Sequence, residues 1–430
     1  MNICVLGLWH LGSVTAAGLA ALGHRVIGLD FDEARVADLN KGIAPIFEPG
    51  LEELIKRGLT SGNLRFSSTA NDTKDIGVLW VTYDTPVDDD DNADADLVMA
   101  QIERALIELR TEALVLVSSQ LPVGSIRRLE QAATLNYGAV QLRVAYSPEN
   151  LRLGSAVSDF LRPSRIVVGV RSNRDKELLH ELLGTITEAI EWMSVESAEL
   201  TKHAINAFFA TSVAFANEIA SICESVGADA KEVERGLKTE NRIGPRAYLS
   251  PGAAFAGGTL ARDIAFLNRT AHARGRVTPL LSSVLPSNNA HKLWAQRKLR
   301  ALFADLSEAT VAVWGLTYKP GTDTLRRSMS VELCNWMIGE GATIHVHDPM
   351  AKNLPEHWCG AIERYDDPIA AVHGAHALVM ATEWPTYLTI STEQLLQCTD
   401  CLVVLDANRF LPHFGAVDGR LRYFAVGMPS

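Results

Sequence analysis

Positive charge is scarce in this chain of 430 residues. Its 40 Lys and Arg stand against 51 Asp and Glu, a formal net charge of −11. Nucleic-acid binding relies on clustered cations that neutralise phosphates, so a general nucleic-acid binder is excluded, while a local basic pocket for a small anion stays open. Long apolar runs are also missing. Beyond the first 24 residues nothing approaches the roughly 20 uninterrupted apolar residues of a spanning helix, so no membrane partner is expected. The N-terminus, 1-MNICVLGLWHLGSVTAAGLAALGH-24, is apolar enough to mimic a signal peptide, but it lacks a basic start and glycines punctuate it. Cysteine is sparse: Cys4, Cys223, Cys334, Cys359, Cys398 and Cys401 are scattered. That usage fits a reducing compartment, and a cytoplasmic location is expected. Cys398 and Cys401 form a lone CxxC with no second pair. His10, His203, His291, His345 and His347 lack ligand spacing, so no metal site is expected.

What is present is an ordinary globular composition, 47% hydrophobic and 21% charged. At roughly 150 residues per domain this length implies two or three domains. Residues 2–8 read as a buried strand, 11–24 as a helix and 25–30 as a second strand ending in an acid. Strand-like runs follow at 77–83, 113–119, 141–147 and 165–170, separated by helical segments such as 97–109. Strands alternating with helices imply a parallel sheet covered on both faces. Residues 196–227 form one long helical pattern, the kind that connects domains or builds a dimer. A second α/β pattern opens at 309–316 and continues through 342–348, 377–382 and 402–407. The expected fold is α/β: two doubly wound Rossmann-like domains, 1–195 and 301–430, joined by a helical domain over 196–300. The acidic run 88-DDDDNADAD-96 reads as a solvated loop.

The first turn is 7-GLWHLG-12. A dinucleotide fold uses G-x-G-x-x-G here, for a tight turn, close approach of pyrophosphate and close helix packing. Gly7 and Gly12 fit, but Trp9 takes the middle position. Its indole either projects toward the phosphates or swings away. Asp30 stands where an acid holds the ribose hydroxyls of NAD. A Rossmann-like fold that no longer binds a dinucleotide is the competing reading. Mid-chain, 254-AFAGGTLARD-263 is a small-residue loop of the kind shaped around a ligand.

Several further stretches carry a resemblance: 119-SQLPVG-124, 147-SPENLRLGSA-156, 163-PSRIVVG-169, 198-AELTKHAINAFFAT-211, 217-NEIA-220, 241-NRIG-244, 318-YKPGTDTLRRS-328, 347-HDP-349, 382-TEW-384 and 406-DANR-409. In this order they resemble the UDP-glucose/GDP-mannose dehydrogenase family over nearly the whole chain. The resemblance implies an NAD-binding domain, a central helical domain that makes a homodimer, and a C-terminal domain holding a nucleotide-sugar. It implies NAD contacts at Gly7, Trp9, His10, Leu11, Gly12, Asp30, Thr85, Pro86 and Arg327. It also implies substrate contacts at Glu149, Leu151, Lys202, Asn206, Tyr248, Leu249, Phe255 and Gly257. Arg242 fits an arginine that reaches a neighbouring subunit's substrate phosphate. Lys319 and Arg326 carry charge suited to a diphosphate; the competing reading of these three is surface cations.

The family oxidises a sugar C6 alcohol to a carboxylate in two steps, through a cysteine thioester. Its loop reads G-F-G-G-S-C-F-P-K-D, and the cysteine position falls on Thr259. A hydroxyl is not usefully ionised near neutral pH, whereas a thiol is. The covalent step is therefore expected to be absent. Gln120 takes the place of a family threonine, and Thr324 that of a family acid. Lys202 and Asn206, four apart on one helical face, match the family's catalytic pair. Such a Lys either stabilises a developing alkoxide or is a solvated helix residue. Glu149 matches an acid of the water-dependent step. Asp263 matches an acid that supports the site, or else caps the helix expected to start just after it. Two classes of function follow. One is an NAD-dependent oxidoreductase on a nucleotide-sugar, stopping at two electrons, using water in place of the thiol, or oxidising transiently within an epimerisation. The other is a non-catalytic nucleotide-sugar binder.

Overall fold

The computed structural model describes residues 1–430 except 87–93, 108, 110, 111, 138–141, 150, 257, 400, 401, 417, 418 and 430. Gly257, Cys401 and most of the acidic run thus lie outside the described residues. The chain divides into two compact units, Met1–Ile205 and Asn206–Ser430.

The first unit holds β1 (Asn2–Leu6), β2 (Arg25–Leu29), β3 (Leu64–Ser67), β4 (Val78–Val81), β5 (Leu114–Val117), β6 (Arg143–Tyr146), β7 (Ile166–Gly169) and β8 (Ile190–Met193). They form one sheet in the order 3-2-1-4-5-6-7-8. The central strands VLWV and LVLV are buried throughout, as continuous apolar runs must be when helices cover both faces. The pairings from β3 to β6 are parallel, but β6 and β7 meet antiparallel at Tyr146 and Gly169. That corrects the expectation of an all-parallel sheet. Among the described residues the only helix between these two strands, Ala156–Leu161, is six residues long, shorter than the crossover a parallel pair needs. The strand order reverses between β1 and β4, which opens a crevice at their carboxyl ends.

The second unit holds β9 (Thr310–Trp314), β10 (Thr343–His347), β11 (Ile362–Arg364), β12 (Ala377–Met380), β13 (Leu402–Asp406) and β14 (Leu421–Phe424). Their order is 11-10-9-12-13-14, all parallel. Ahead of this sheet come the helices Ala230–Thr239, Thr259–His272, Pro279–Lys292 and Trp294–Leu302. The helix Val195–Val226 runs across the division at residue 205. By length and composition it is apolar enough to cross a membrane. A search for unbroken apolar runs passes over it, because Glu199, Lys202 and His203 interrupt it. Glu199, His203, Asn206 and Asn217 on this helix are buried by the protein's own packing.

The two sheets repeat one local design. Gly7 and Gly315 follow β1 and β9 with φ of +91° and +93°. A Cβ there would sit 2.8 Å from the Tyr83 ring in the first unit and 2.3 Å from Thr382 in the second, so only glycine fits either turn. In each turn the next amide donates 2.7 Å to an acid just past the second strand, Leu8 N–H to Asp30 and Leu316 N–H to Asp348.

Candidate functional site

The two designs differ in what their acids have left to offer. Asp348 accepts from the amides of Leu316, Thr317, Met350 and Ala351, from the Thr317 hydroxyl and from Trp384 Nε1. A carboxylate has about four lone-pair sites, so Asp348 is saturated. Asp30 accepts from Leu8 N–H, Asp32 N–H and Arg35 Nη1. It keeps acceptor capacity for a ribose hydroxyl. The dinucleotide-type site is therefore in the first unit.

Other features of that crevice fit the same ligand. Gly12 lies so close under the turn that a Cβ would fall 1.7 Å from Gly7 O. Leu11 and Gly12 are buried in the first turn of the helix His10–Ala21. Trp9 precedes that helix and is 41% exposed, with the Arg35 guanidinium 5.4 Å from its ring centroid. The indole thus packs with the Arg35 that donates to Asp30. His10 Nε2 lies 3.0 Å from buried Glu48, which also accepts from the amides of Gly154 and Ala156. At the ends of β4 and β5, Thr85 Oγ1 and Ser119 Oγ are buried without a partner among the described residues. Buried hydroxyls are rarely left so, and such atoms in a crevice mark where a polar ligand seats. Pro86 is exposed beside them.

Glu149 lies beyond β6. Its side chain accepts the Leu151 amide at 2.7 Å, and its carbonyl accepts Lys202 Nζ at 2.7 Å. Glu149 and Lys202 are therefore brought together. Gln120, in the turn after β5, is half-buried.

In the second unit, Asn206 Nδ2 donates to Asp263 Oδ2 at 2.5 Å, and both side chains are buried. Asp263 does not cap a helix. The helix begins at Thr259 after Gly258 at φ +101°, which places Asp263 in its second turn. The positive-φ glycine starts the helix earlier than side-chain patterning implies. Thr259 is exposed at the first helical position, and its hydroxyl makes no hydrogen bond among the described residues. The loop before it is pinned by amides: Asn217 Oδ1 accepts Gly252 N–H, Asn408 Oδ1 accepts Ala253 N–H, and Asn288 bonds both N–H and O of Phe255. Arg327, at φ +61°, brings its guanidinium 3.5 Å from where a Gly258 Cβ would lie. This puts Arg327 beside the Thr259 loop. The Tyr248 ring lies tilted against Phe209 with centroids 5.3 Å apart, Leu249 is half-buried next to it, and Arg242 is exposed and paired with Glu240. Lys319 lies over Tyr318, and Arg326 is exposed.

Burial pushes the Cys334 thiol up to about 12 and raises that of Cys4 further. No group of three or more His, Cys, Asp or Glu suited to a metal occurs among the described residues. Sequence patterning missed Arg35 and Glu48. Both follow ordinary helix and turn signals.

A glycine turn, an acid with acceptor capacity to spare and orphaned hydroxyls at a strand-order reversal define a protein with a dinucleotide-type site. Comparison with known proteins narrows this. The chain matches the UDP-glucose/GDP-mannose dehydrogenase family models for the NAD binding domain over residues 1–187, the central domain over 196–290 and the UDP binding domain over 312–413. It is 36% identical over 402 residues to UDP-glucose 6-dehydrogenase of Pseudomonas aeruginosa, covering 90% of this chain and 88% of that one. Identity to UDP-glucose 6-dehydrogenase YwqF of Bacillus subtilis is 30% over 430 residues, covering 99% and 98%. A solved UDP-glucose dehydrogenase from Pyrobaculum islandicum superposes with a TM-score of 0.84 at 30% identity, covering 99% and 98%. The chain belongs to the UDP-glucose/GDP-mannose dehydrogenase family. It is an NAD-dependent oxidoreductase of nucleotide-sugar dehydrogenase type.

Proposed function

We propose that this enzyme oxidises the C6 hydroxyl of a UDP-sugar by two electrons, without a covalent thioester. The observation that carries this reading is Thr259, exposed and without a base at hydrogen-bond distance among the described residues; the resemblance puts the family's nucleophilic thiol at this position. An unactivated hydroxyl does not form the hemiacetal a thiolate forms. Removal of a hydride from an alcohol needs a held substrate, an oriented acceptor and a base, and none of these is a thiol. When bound, NAD supplies the hydride acceptor. Gly7, Gly12, Asp30, Thr85 and Ser119 would hold it. Lys202, fixed by the Glu149 carbonyl, stabilises the alkoxide that develops as the hydride leaves. Within the second unit, Asn206 and Asp263 form a hydrogen-bonded pair. Lys319 and Arg326 would meet the diphosphate, and Arg242 the substrate phosphate of a neighbouring subunit. Phe208, Phe215, Ile222 and Val226 leave large apolar side chains exposed along Val195–Val226. A homodimer built on that helix accounts for them.

Thiol alkylation tests this. A cysteine that attacks an aldehyde is reachable by iodoacetamide. We expect NADH production from UDP-glucose, or from another UDP-sugar in a panel, to persist after alkylation. Its abolition, with UDP-sugar protecting one cysteine, would place a thiol back in the mechanism.

A further inference from the structure

We propose that Glu48 is a positioning residue through which bound cofactor sets the loop that holds Lys202; this rests on the oxidoreductase reading above. Glu48 lies between β2 and β3, in the stretch 43-IAPIFEPG-50, just ahead of the helix Leu51–Ser61. Its side chain is 1% exposed. One of its oxygens, Oε2, is shared by two partners, His10 Nε2 at 3.0 Å and the Gly154 amide at 2.8 Å. The other, Oε1, accepts the Ala156 amide at 2.9 Å. His10 opens the helix His10–Ala21, while Gly154 and Ala156 follow β6. A single buried carboxylate therefore joins the turn after β1 to the loop after β6, two segments far apart in the chain.

Each end of this link has a task. The start of the first helix is where the pyrophosphate of a dinucleotide is held. At the other end, the Glu149 carbonyl accepts Lys202 Nζ at 2.7 Å, and the Glu149 side chain accepts the Leu151 amide at 2.7 Å. The chain then reaches Gly154, the first amide that Glu48 holds. The two segments also pack on each other. Phe160, in the helix Ala156–Leu161, lies so close to the first helix that a Cβ at Gly18 would fall 2.4 Å from its ring. Phe160 fixes the far end of the short helix, and Glu48 fixes the near end, where the loop to Glu149 joins it. The competing reading is a carboxylate that caps the short helix and no more. A cap needs only the two amides. The third partner, His10, adds nothing to capping and ties the carboxylate to the turn. Hydrogen bonds to a buried charge are costly to lose, so a displaced His10 is felt at Gly154, which shares its oxygen. A turn held still by the cofactor thus holds the loop still, and with it the carbonyl that aims Lys202.

Hydrogen exchange decides it and needs no turnover. In the wild type, NAD should slow exchange in a peptide spanning residues 151–156 by at least about fivefold, the low end of ordinary coupling between sites. His10→Phe keeps both amide bonds of Glu48 and cuts only the link to the turn. It should still bind NAD in calorimetry and lose the slowing, while His10→Gln, whose amide can donate to Glu48, should regain part of it. Glu48→Gln has one carbonyl oxygen for two amides, and should lose the slowing with His10 in place. A mere cap would change the thermal midpoint and leave the response to NAD as it was. No slowing in the wild type, or slowing that persists in either His10→Phe or Glu48→Gln, overturns the proposal. A second measurement asks whether the link acts through Lys202. His10→Phe should lower kcat with a UDP-sugar by about tenfold, part of what a misplaced catalytic group costs. In a Lys202→Ala background the same substitution should change kcat by less than about twofold, because coupled residues are not additive. Losses that multiply overturn the route through Lys202. A wild type that reduces no NAD with any UDP-sugar defeats the oxidoreductase reading itself, while the exchange result still decides the coupling.

Discussion

Replacing Trp9 by glycine restores the family's G-x-G-x-x-G and asks what the indole does. In the structure it packs against Arg35, 5.4 Å from guanidinium to ring centroid, and is 41% exposed. An exposed cation–π contact is worth roughly 0.5–1 kcal/mol. Glycine at the residue preceding a helix is well tolerated, so the helix His10–Ala21 loses little. Arg35 keeps its 2.7 Å bond to Asp30, and the ribose acid stays in place. The net change in NAD affinity should therefore be under about 1 kcal/mol, less than roughly fivefold in Kd. Calorimetry on wild type and Trp9→Gly measures this directly. If the indole instead lay across the path of the pyrophosphate, binding would first have to displace it. The glycine variant would then bind NAD at least about 30-fold tighter, some 2 kcal/mol. That result would refute the placement of Trp9 beside Arg35 as the state that receives the cofactor.

Lys202→Ala should lower kcat by about 100- to 1,000-fold, the usual cost of removing one donor from a developing oxyanion, with a thermal midpoint near wild type; an unchanged rate removes Lys202 from the chemistry. Thr259→Ala should keep the rate within about threefold, since a hydroxyl with no base is not a nucleophile; a dead enzyme that still binds UDP-sugar would give Thr259 a catalytic role. Glu48→Ala strips the acceptor from His10 and from the Gly154 and Ala156 amides, and should cost about 3 kcal/mol in urea unfolding, as loss of a buried bonded carboxylate does. Burial raises the pKa of Glu234, but hydrogen bonds from Lys238, Ser250 and Lys231 outweigh it and hold the group at about 2. A depressed carboxyl stabilises above its unfolded value near 4.5 and loses that as pH falls toward about 2. Glu234→Gln should therefore narrow the stability gap between pH 6 and pH 2.5, and an unchanged acid limb would discount the pair.

The central strands were legible because buried parallel strands are unbroken apolar runs. LVLV and TVAVW fall inside the stretches expected at 113–119 and 309–316. Four edge or near-edge strands were not. β3, β8, β11 and β14 carry Arg65, Glu191, Glu363 and Arg422 in runs of three or four residues, too short and too polar to stand out. The antiparallel β6–β7 pair was missed because strand direction leaves no mark in composition. At the site, Gly7, Gly12 and Asp30 could be read from spacing, since their roles depend on backbone geometry near in sequence. Glu48 could not: it joins His10 to a loop more than 100 residues further on. The start of the Thr259 helix was obscured for a similar reason. Gly258 at positive φ sets it, and neither its neighbours nor its side chain reveal that conformation.

The account turns on two-electron oxidation without a thiol, and the ratio of NADH formed to UDP-sugar consumed at completion tests it most directly, with the product identified by mass. One NADH per sugar and an aldehyde or its hydrate is the predicted result. Two NADH per sugar and a C6 carboxylate would contradict it.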